Sequence, residues 1–308
     1  MTTGLPYPGL IQAWLSFIRP KTWGVAIAPV VSALALVYAE TRLLSPVVAL
    51  LTLTLALLMQ ITTNMENDLG YTVRKAEKSN RKGLPRATAN GWISMGTARV
   101  AIGITICLAL LNTLWLVVSG GWAFFFIGLV SVIAAYCYMG GPWPIAYSPF
   151  GELLVLIFFG LTAVCGTYYL QAHTVSLNAI LLGIAIGATA ASVLAVNNWR
   201  DKEHDASIQR HTLAVVTSSR TFTAVFLAMV VVPFVLLLWF CATLKTPWIL
   251  LPLVLVPGLP KLLKDFQTKH GYELNSVMFG CVKLGLLYAL LFTLGIILNI
   301  VLPTKNLG

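Results

Sequence analysis

The sequence predicts an all-α fold: a polytopic membrane bundle of about nine transmembrane helices around a central cavity open to the cytoplasmic side. Composition is the first observation behind it. Hydrophobic residues fill 58% of the 308 positions and charged residues only 10%, whereas a soluble domain carries roughly 25% charged residues. Mean hydropathy is +0.86. The second observation is length. At least seven runs of about 18 or more mostly apolar residues can be read along the chain, enough to cross a hydrocarbon core. The third is pattern: the runs are continuous rather than alternating. Lipid leaves backbone groups to be satisfied internally, so such runs form helices and not barrel strands.

The elements follow in order. The opening MTTGLPYPGLIQAWLSFIRPKTW has no long apolar core behind a basic tip, so it lacks the order of a cleavable signal peptide. Ile11 to Ile18, with Trp14 and Phe17 and then Arg19 and Lys21, reads as a short interfacial helix within an N-terminal segment, residues 1–21. Spans are expected at 22–40, 46–65, 98–118, 121–139, 149–171, 178–197, 221–243, 247–262 and 281–302. The eighth is the weakest, because Pro247, Pro252, Pro257 and Pro260 kink or shorten it. Five cysteines (Cys107, Cys137, Cys165, Cys241 and Cys281) fall in or beside apolar runs at no metal-ligand spacing, and read as small buried hydrophobes.

Charge sets the orientation. Of the 20 Lys and Arg residues, all except Arg42, Lys245 and Lys305 lie on the side of the N-terminus and the 66–97, 140–148, 199–220 and 263–280 connections. By the positive-inside rule that side is cytoplasmic and the C-terminus lies outside. The asymmetry accounts for the net charge of +10, which makes nucleic acid an unsuitable partner. Anionic lipid headgroups or a phosphorylated ligand fit instead. No feature points to a protein partner. The whole chain, 1–308, is expected to form one intramembrane domain, with 66–97 and 199–220 as the cytoplasmic loops at its active site.

The stretch NNWRDKEHD, Asn197 to Asp205, concentrates three of the chain's ten acidic residues directly after an apolar run. A carboxylate beside a bilayer needs a partner or water. On a helix that continues past the membrane edge, Asn197, Asp201 and Asp205 share one face. Asn64 and Asp68 share a face of the second span in the same way, and both pairs are offset by 133 residues. Oxygen ligands on two facing helix ends suit a hard cation, Mg²⁺ above all, which takes one or two carboxylates together with a substrate's phosphate oxygens. The plain alternative is that these side chains cap helix ends or pair with Arg200 and Lys202. Cations suited to phosphate surround them: Arg74, Lys75, Lys78, Arg81, Lys82 and Arg86 in the first loop, and Arg200, Lys202 and Arg210 in the second. Charge that merely sets topology is the competing account of most of these. Lys283 and Glu152 fall near the same rim and either line the site or, for Lys283, snorkel. His204 and His211 read as solvated loop residues, with His173 on the far side.

At these residues the chain resembles the UbiA prenyltransferase family of intramembrane enzymes, nearest to its branch acting on 1,4-dihydroxy-2-naphthoate. The resemblance rests on NNWRDKEHD followed by RHTLAVV, on NMEND at Asn64–Asp68, RPKTW at Arg19–Trp23 and GLPRATANGWIS at Gly83–Ser94. It extends through AAYCY ending at Tyr138, TYYLQAHT at Thr167–Thr174 and ELNSVMFGCVKLGLLYALLF near the C-terminus. It implies Mg²⁺-dependent transfer of a chain from polyprenyl diphosphate to an aromatic acceptor at a bacterial inner membrane, on its cytoplasmic face. The naphthoate would lose its carboxylate and become demethylmenaquinone. It further implies that Asn64, Asp68, Asn197, Asp201 and Asp205 hold Mg²⁺ and, through it, the diphosphate. Arg86, Arg210 and Lys202 would meet the phosphates. Tyr138 would face the allylic cation with its π system, a contact worth about 2 kcal/mol when desolvated; Tyr136 and Trp143 are further candidates.

Two positions depart from the family pattern. Arg210 stands where this branch often has Lys. The acid expected one turn beyond Asp68 is absent, since the residues there are Tyr71 and Thr72. Glu203 is the candidate to compensate. Other readings are transfer to 4-hydroxybenzoate or a quinolone or phenol, a transporter, and a catalytically weakened homologue. A transporter expects charge at the bilayer midplane; here the acids cluster at helix ends.

Overall fold

The computed structural model describes residues 5–77 and 82–302. Every regular element among them is helical. Helix α1 spans Leu10–Ile18, α2 Gly24–Thr41, α3 Pro46–Val73 and α4 Met95–Cys137. Helices α5 (Gly151–Val155) and α6 (Ala163–Ala172) are joined by a π-helical turn at Leu156–Thr162. Then come α7 (Leu177–Arg200), the short α8 (Lys202–Ser207) and α9 (Leu213–Val216), α10 (Ser219–Leu244), α11 (Leu259–Thr268) and α12 (Leu274–Val301). Lys78, Arg81 and Lys305 lie outside the described residues.

Four serines start long helices. Ser45, Ser94, Ser176 and Ser218 each accept a hydrogen bond from the backbone N–H three residues on, which satisfies a donor the first turn leaves open. Among the described residues seven helical segments are long and apolar enough to cross a membrane, so the count of nine is not established. The difference has two sources. The spans expected at 98–118 and 121–139 are the two legs of α4, which breaks at Gly121 (φ 69°, ψ 178°). That backbone conformation suits glycine because it has no Cβ. The legs fold back on each other, so that Thr113 lies against Gly128. The eighth expected span is a 3₁₀ segment, Pro247–Gly258, continued by α11. Prolines 247, 252 and 257 remove N–H donors along it. At about 2 Å per residue it still extends roughly 24 Å.

Helix α7 is the axis of the bundle. It packs on α2, α5, the π-turn, α6, α10 and α12, and most of its length is buried. The main core belongs to α2, α6, α7, α10, α11 and α12, with Phe226 stacked on Phe266 at 3.9 Å and Tyr288 edge-on to Phe234. On the π-turn side the approach is closest. A Cβ on Gly160 would stand 2.3 Å from the Gly183 carbonyl and 2.6 Å from the Gly187 Cα. A second, smaller core joins α1, α3 and the first leg of α4. Phe17 and Ala13 of α1 are fully buried there while Leu10 and Ile11 are exposed. The expected interfacial helix is therefore amphipathic, with one face locked onto the bundle.

Candidate active site

A cavity of about 280 Å³ runs between α2, α3, the second leg of α4, the α5–α6 segment and α7. Its body is apolar, with Pro29, Leu55, Met59, Phe124, Phe158 and Phe159 on the walls. One end is polar, and Arg19, Thr22, Asn64, Asn67, Asn197 and Arg200 converge there. Tyr138 lines the wall near this end. Tyr136 and Trp143 do not line it and are exposed, which removes them from the cation-facing set. The ends of α3 and α7, distant in sequence, thus open on one space.

The first helix end is built around Asp68, which is fully buried. Its Oδ1 accepts from the Thr88 N–H at 2.9 Å and the Thr88 hydroxyl at 2.7 Å, and its Oδ2 accepts from the Ala87 N–H at 2.9 Å. The Arg19 guanidinium lies 3.7 Å from Oδ2. Asp68 therefore fastens the 84–94 loop to α3 and meets the cavity through Arg19. One turn earlier, Asn64 donates to the Ile18 carbonyl and the Thr22 hydroxyl, both at 3.1 Å, which ties α3 to the turn after α1.

The second helix end differs from the expectation. Helix α7 stops at Arg200, Asp201 is its C-terminal cap, and α8 begins anew at Lys202. Asn197, Asp201 and Asp205 therefore do not share the face of one continuous helix. Instead Arg200 gathers the oxygens. Its Nε and Nη2 donate to Asp201 at 3.0 and 2.7 Å, Nη2 also reaches Asn197 Oδ1, and Nη1 donates to Asn275 of α12 at 2.6 Å. Asp205, buried, pairs with Arg210 at 2.8 Å. Arg210 continues to the Ala146 carbonyl at 3.0 and 3.1 Å and to the Tyr71 hydroxyl.

Arg86 is buried, forms an ion pair with Glu77 at 3.2 Å, donates to Asn67 and stacks on the Tyr71 ring at 3.5 Å. Neither Arg86, Arg210 nor Lys202 lines the cavity; Lys202 lies over the Trp199 ring. Arg74 donates to the Met139 and Gly141 carbonyls and lies, like Arg210, over the Tyr147 ring. Burial raises the Tyr147 phenol above its ordinary value against the pull of Arg210 and Arg74, so it remains neutral. Glu203 is exposed while Asp201 and Asp205 are buried, so it does not stand in for the missing acid. His204 is buried rather than solvated, and His211 is exposed. Glu152 is buried and holds Asn198 at 2.9 Å. Lys283 is exposed, as snorkelling requires.

Sequence reasoning missed the partners. The sequence alone gives Arg19, Asn67 and Asn275 no role at the site, and offers Arg200 as a phosphate cation. The local pairing of Arg200 with Asp201 was legible, whereas the contacts across 75 residues to Asn275 and 139 residues to Tyr71 were not. Four acids (Asp68, Glu77, Asp201 and Asp205) are each paired with an arginine (Arg19, Arg86, Arg200 and Arg210). Among the described residues no group of three or more His, Cys, Asp or Glu side chains comes together as a metal cage. Oxygen donors from Asn and Asp, with no thiolate among them, still suit a hard cation completed by phosphate oxygens.

An apolar cavity in a membrane bundle, closed at one end by amides and by two arginines that are paired with carboxylates behind them, defines an intramembrane enzyme of the class that handles long apolar chains with anionic heads. The chain belongs to the UbiA prenyltransferase family, whose profile matches residues 26–287. It is 35% identical to the 1,4-dihydroxy-2-naphthoate octaprenyltransferase of Escherichia coli, over 94% of this chain and 96% of that one. It is 34% identical to the enzyme of the same name from Mycobacterium tuberculosis, over 79% and 82%. The fold resembles that of a UbiA homologue from Archaeoglobus fulgidus bound to GPP and Mg²⁺, with TM-score 0.66 at 16% identity over 92% of this chain and 99% of that one.

Proposed function

We propose that this protein transfers a polyprenyl chain from its diphosphate to 1,4-dihydroxy-2-naphthoate, with loss of the carboxylate, to give demethylmenaquinone. The observation that carries the reading is the cavity with one polar end, in a chain similar along nearly its whole length to naphthoate octaprenyltransferases. On this reading residues 1–308 act as one domain in a bacterial inner membrane, its polar end toward the cytoplasm, as the basic loops favour.

Arg19 and Arg200 face the diphosphate as the prenyl C1–O bond breaks and the electron pair passes to the leaving group. They exchange their carboxylate partners for phosphate oxygens, to which a guanidinium fork is matched. Asn64, Asp68, Asn197, Asp201 and Asp205 would hold Mg²⁺, which would supply further charge neutralisation of the departing diphosphate. Arg86, Arg210 and Lys202 act from behind this front, holding the loops. The apolar walls keep water from the allylic cation, and Tyr138 presents its ring to it. The acceptor's ring carbon forms the new C–C bond, and its carboxyl group leaves as CO₂, returning the electron pair to the ring.

The test is product analysis with purified protein, Mg²⁺, a polyprenyl diphosphate and a panel of aromatic acids. Prenylated, decarboxylated product from the naphthoate alone is expected. Product from 4-hydroxybenzoate or a quinolone alone would reassign the acceptor, and diphosphate release without any aromatic product would overturn the transfer.

A further inference from the structure

Tyr71 stands one helical turn beyond Asp68 on α3, a place from which a carboxylate would add a second acid to that helix end. The residue is buried and stands between two arginines from different loops. Arg86, from the loop after α3, lies flat on its ring at 3.5 Å. Arg210, from the loop after α8, donates to its hydroxyl and lies 5.3 Å from the ring centroid. Thr72, the other position one turn beyond Asp68, shares a 2.6 Å hydrogen bond with Thr88. Both positions are thus filled by neutral groups engaged with neighbouring side chains. Two guanidinium groups flank this position on α3, and like charge this close opposes a cation beside them.

We propose that Tyr71, by holding Arg86 on its ring and Arg210 on its hydroxyl, closes the end of α3 to a second divalent cation, so that the site takes one divalent cation with each prenyl diphosphate. This rests on the prenyl-transfer reading and adds a stoichiometry to it. Tyr71 is a positioning residue here: it acts through the two arginines and reaches no reacting atom.

The test counts metal rather than turnover. The full chain in nanodiscs of zwitterionic lipid is titrated with Mn²⁺ in the presence of geranyl thiolodiphosphate, and free Mn²⁺ is followed by electron paramagnetic resonance. One Mn²⁺ per chain is expected for the wild type. Tyr71→Phe keeps the ring and is expected to stay at one, while Tyr71→Asp replaces the ring by a carboxylate and is expected to rise to two. Two Mn²⁺ in the wild type, or Tyr71→Asp remaining at one, overturns the proposal. Absence of any analogue-dependent Mn²⁺ binding in the wild type overturns the prenyl diphosphate site itself, which separates the two failures.

Discussion

The ends of α3 and α7 carry the same Asn-x-x-x-Asp spelling and open on the same cavity, yet they are built by different means. At α3 the helix runs on through Val73, and Asp68 is consumed by three donors from the 84–94 loop. At α7 the helix stops, and Asp201 is held by the guanidinium of its own neighbour. The first carboxylate is anchored by backbone N–H and hydroxyl groups that cannot leave without unfolding the loop. The second is anchored by a single side chain, Arg200, itself held by Asn197 and Asn275. A repeated motif therefore marks a repeated location with different anchoring: loop backbone at one end, a neighbouring guanidinium at the other.

Substitutions at matched positions can break or sharpen that contrast. Asp201→Ala should abolish turnover, a fall of about 10³-fold or more in prenyl-transfer rate, as when a key electrostatic group is removed. Membrane insertion should stay intact, while the loss of the buried partner of Arg200 lowers the thermal midpoint; a wild-type rate in this variant would remove Asp201 from the site. Asp68→Asn should act on stability as well as on turnover. It sets an amide N–H against the Ala87 N–H and leaves Arg19 without its carboxylate, at a cost of about 2–4 kcal/mol. A lowered thermal midpoint with easier proteolysis of the 84–94 loop is the expected result, and an unchanged midpoint would show that Asp68 does not anchor that loop. Arg200→Lys keeps the charge and loses the fork. It should raise KM for the prenyl diphosphate by roughly tenfold, about 1.4 kcal/mol, with a smaller change in kcat. Glu203→Gln, on an exposed side chain, should leave rate unchanged and stability within about 0.5 kcal/mol; a loss of activity there would return Glu203 to the site.

What was legible in the sequence divides along the same line. The spans were legible because hydrophobic length is a local signal, and even the separation at Gly121 fell where expected. The eighth span was readable as irregular from its prolines, although periodicity alone gives no sign of a 3₁₀ path. Asn64, Asp68, Asn197 and Asp201 could be singled out because polar residues are rare at the end of an apolar run. Their partners could not, since Thr88 meets Asp68 across 20 residues and Asn275 meets Arg200 across 75. The assumption of one continuous helix through Asp205 failed because Asp201 leaves helical geometry (φ −97°, ψ 9°), and no proline or glycine announces that break.

The contact of Gly160 with Gly183 and Gly187 bears on how the bundle can breathe. Backbone against backbone leaves no side chain to rotate out of the way, so the seam between the π-turn and α7 behaves as a fixed hinge post. Room for a longer or bulkier guest therefore has to come from the cavity's other walls, α3 and the second leg of α4.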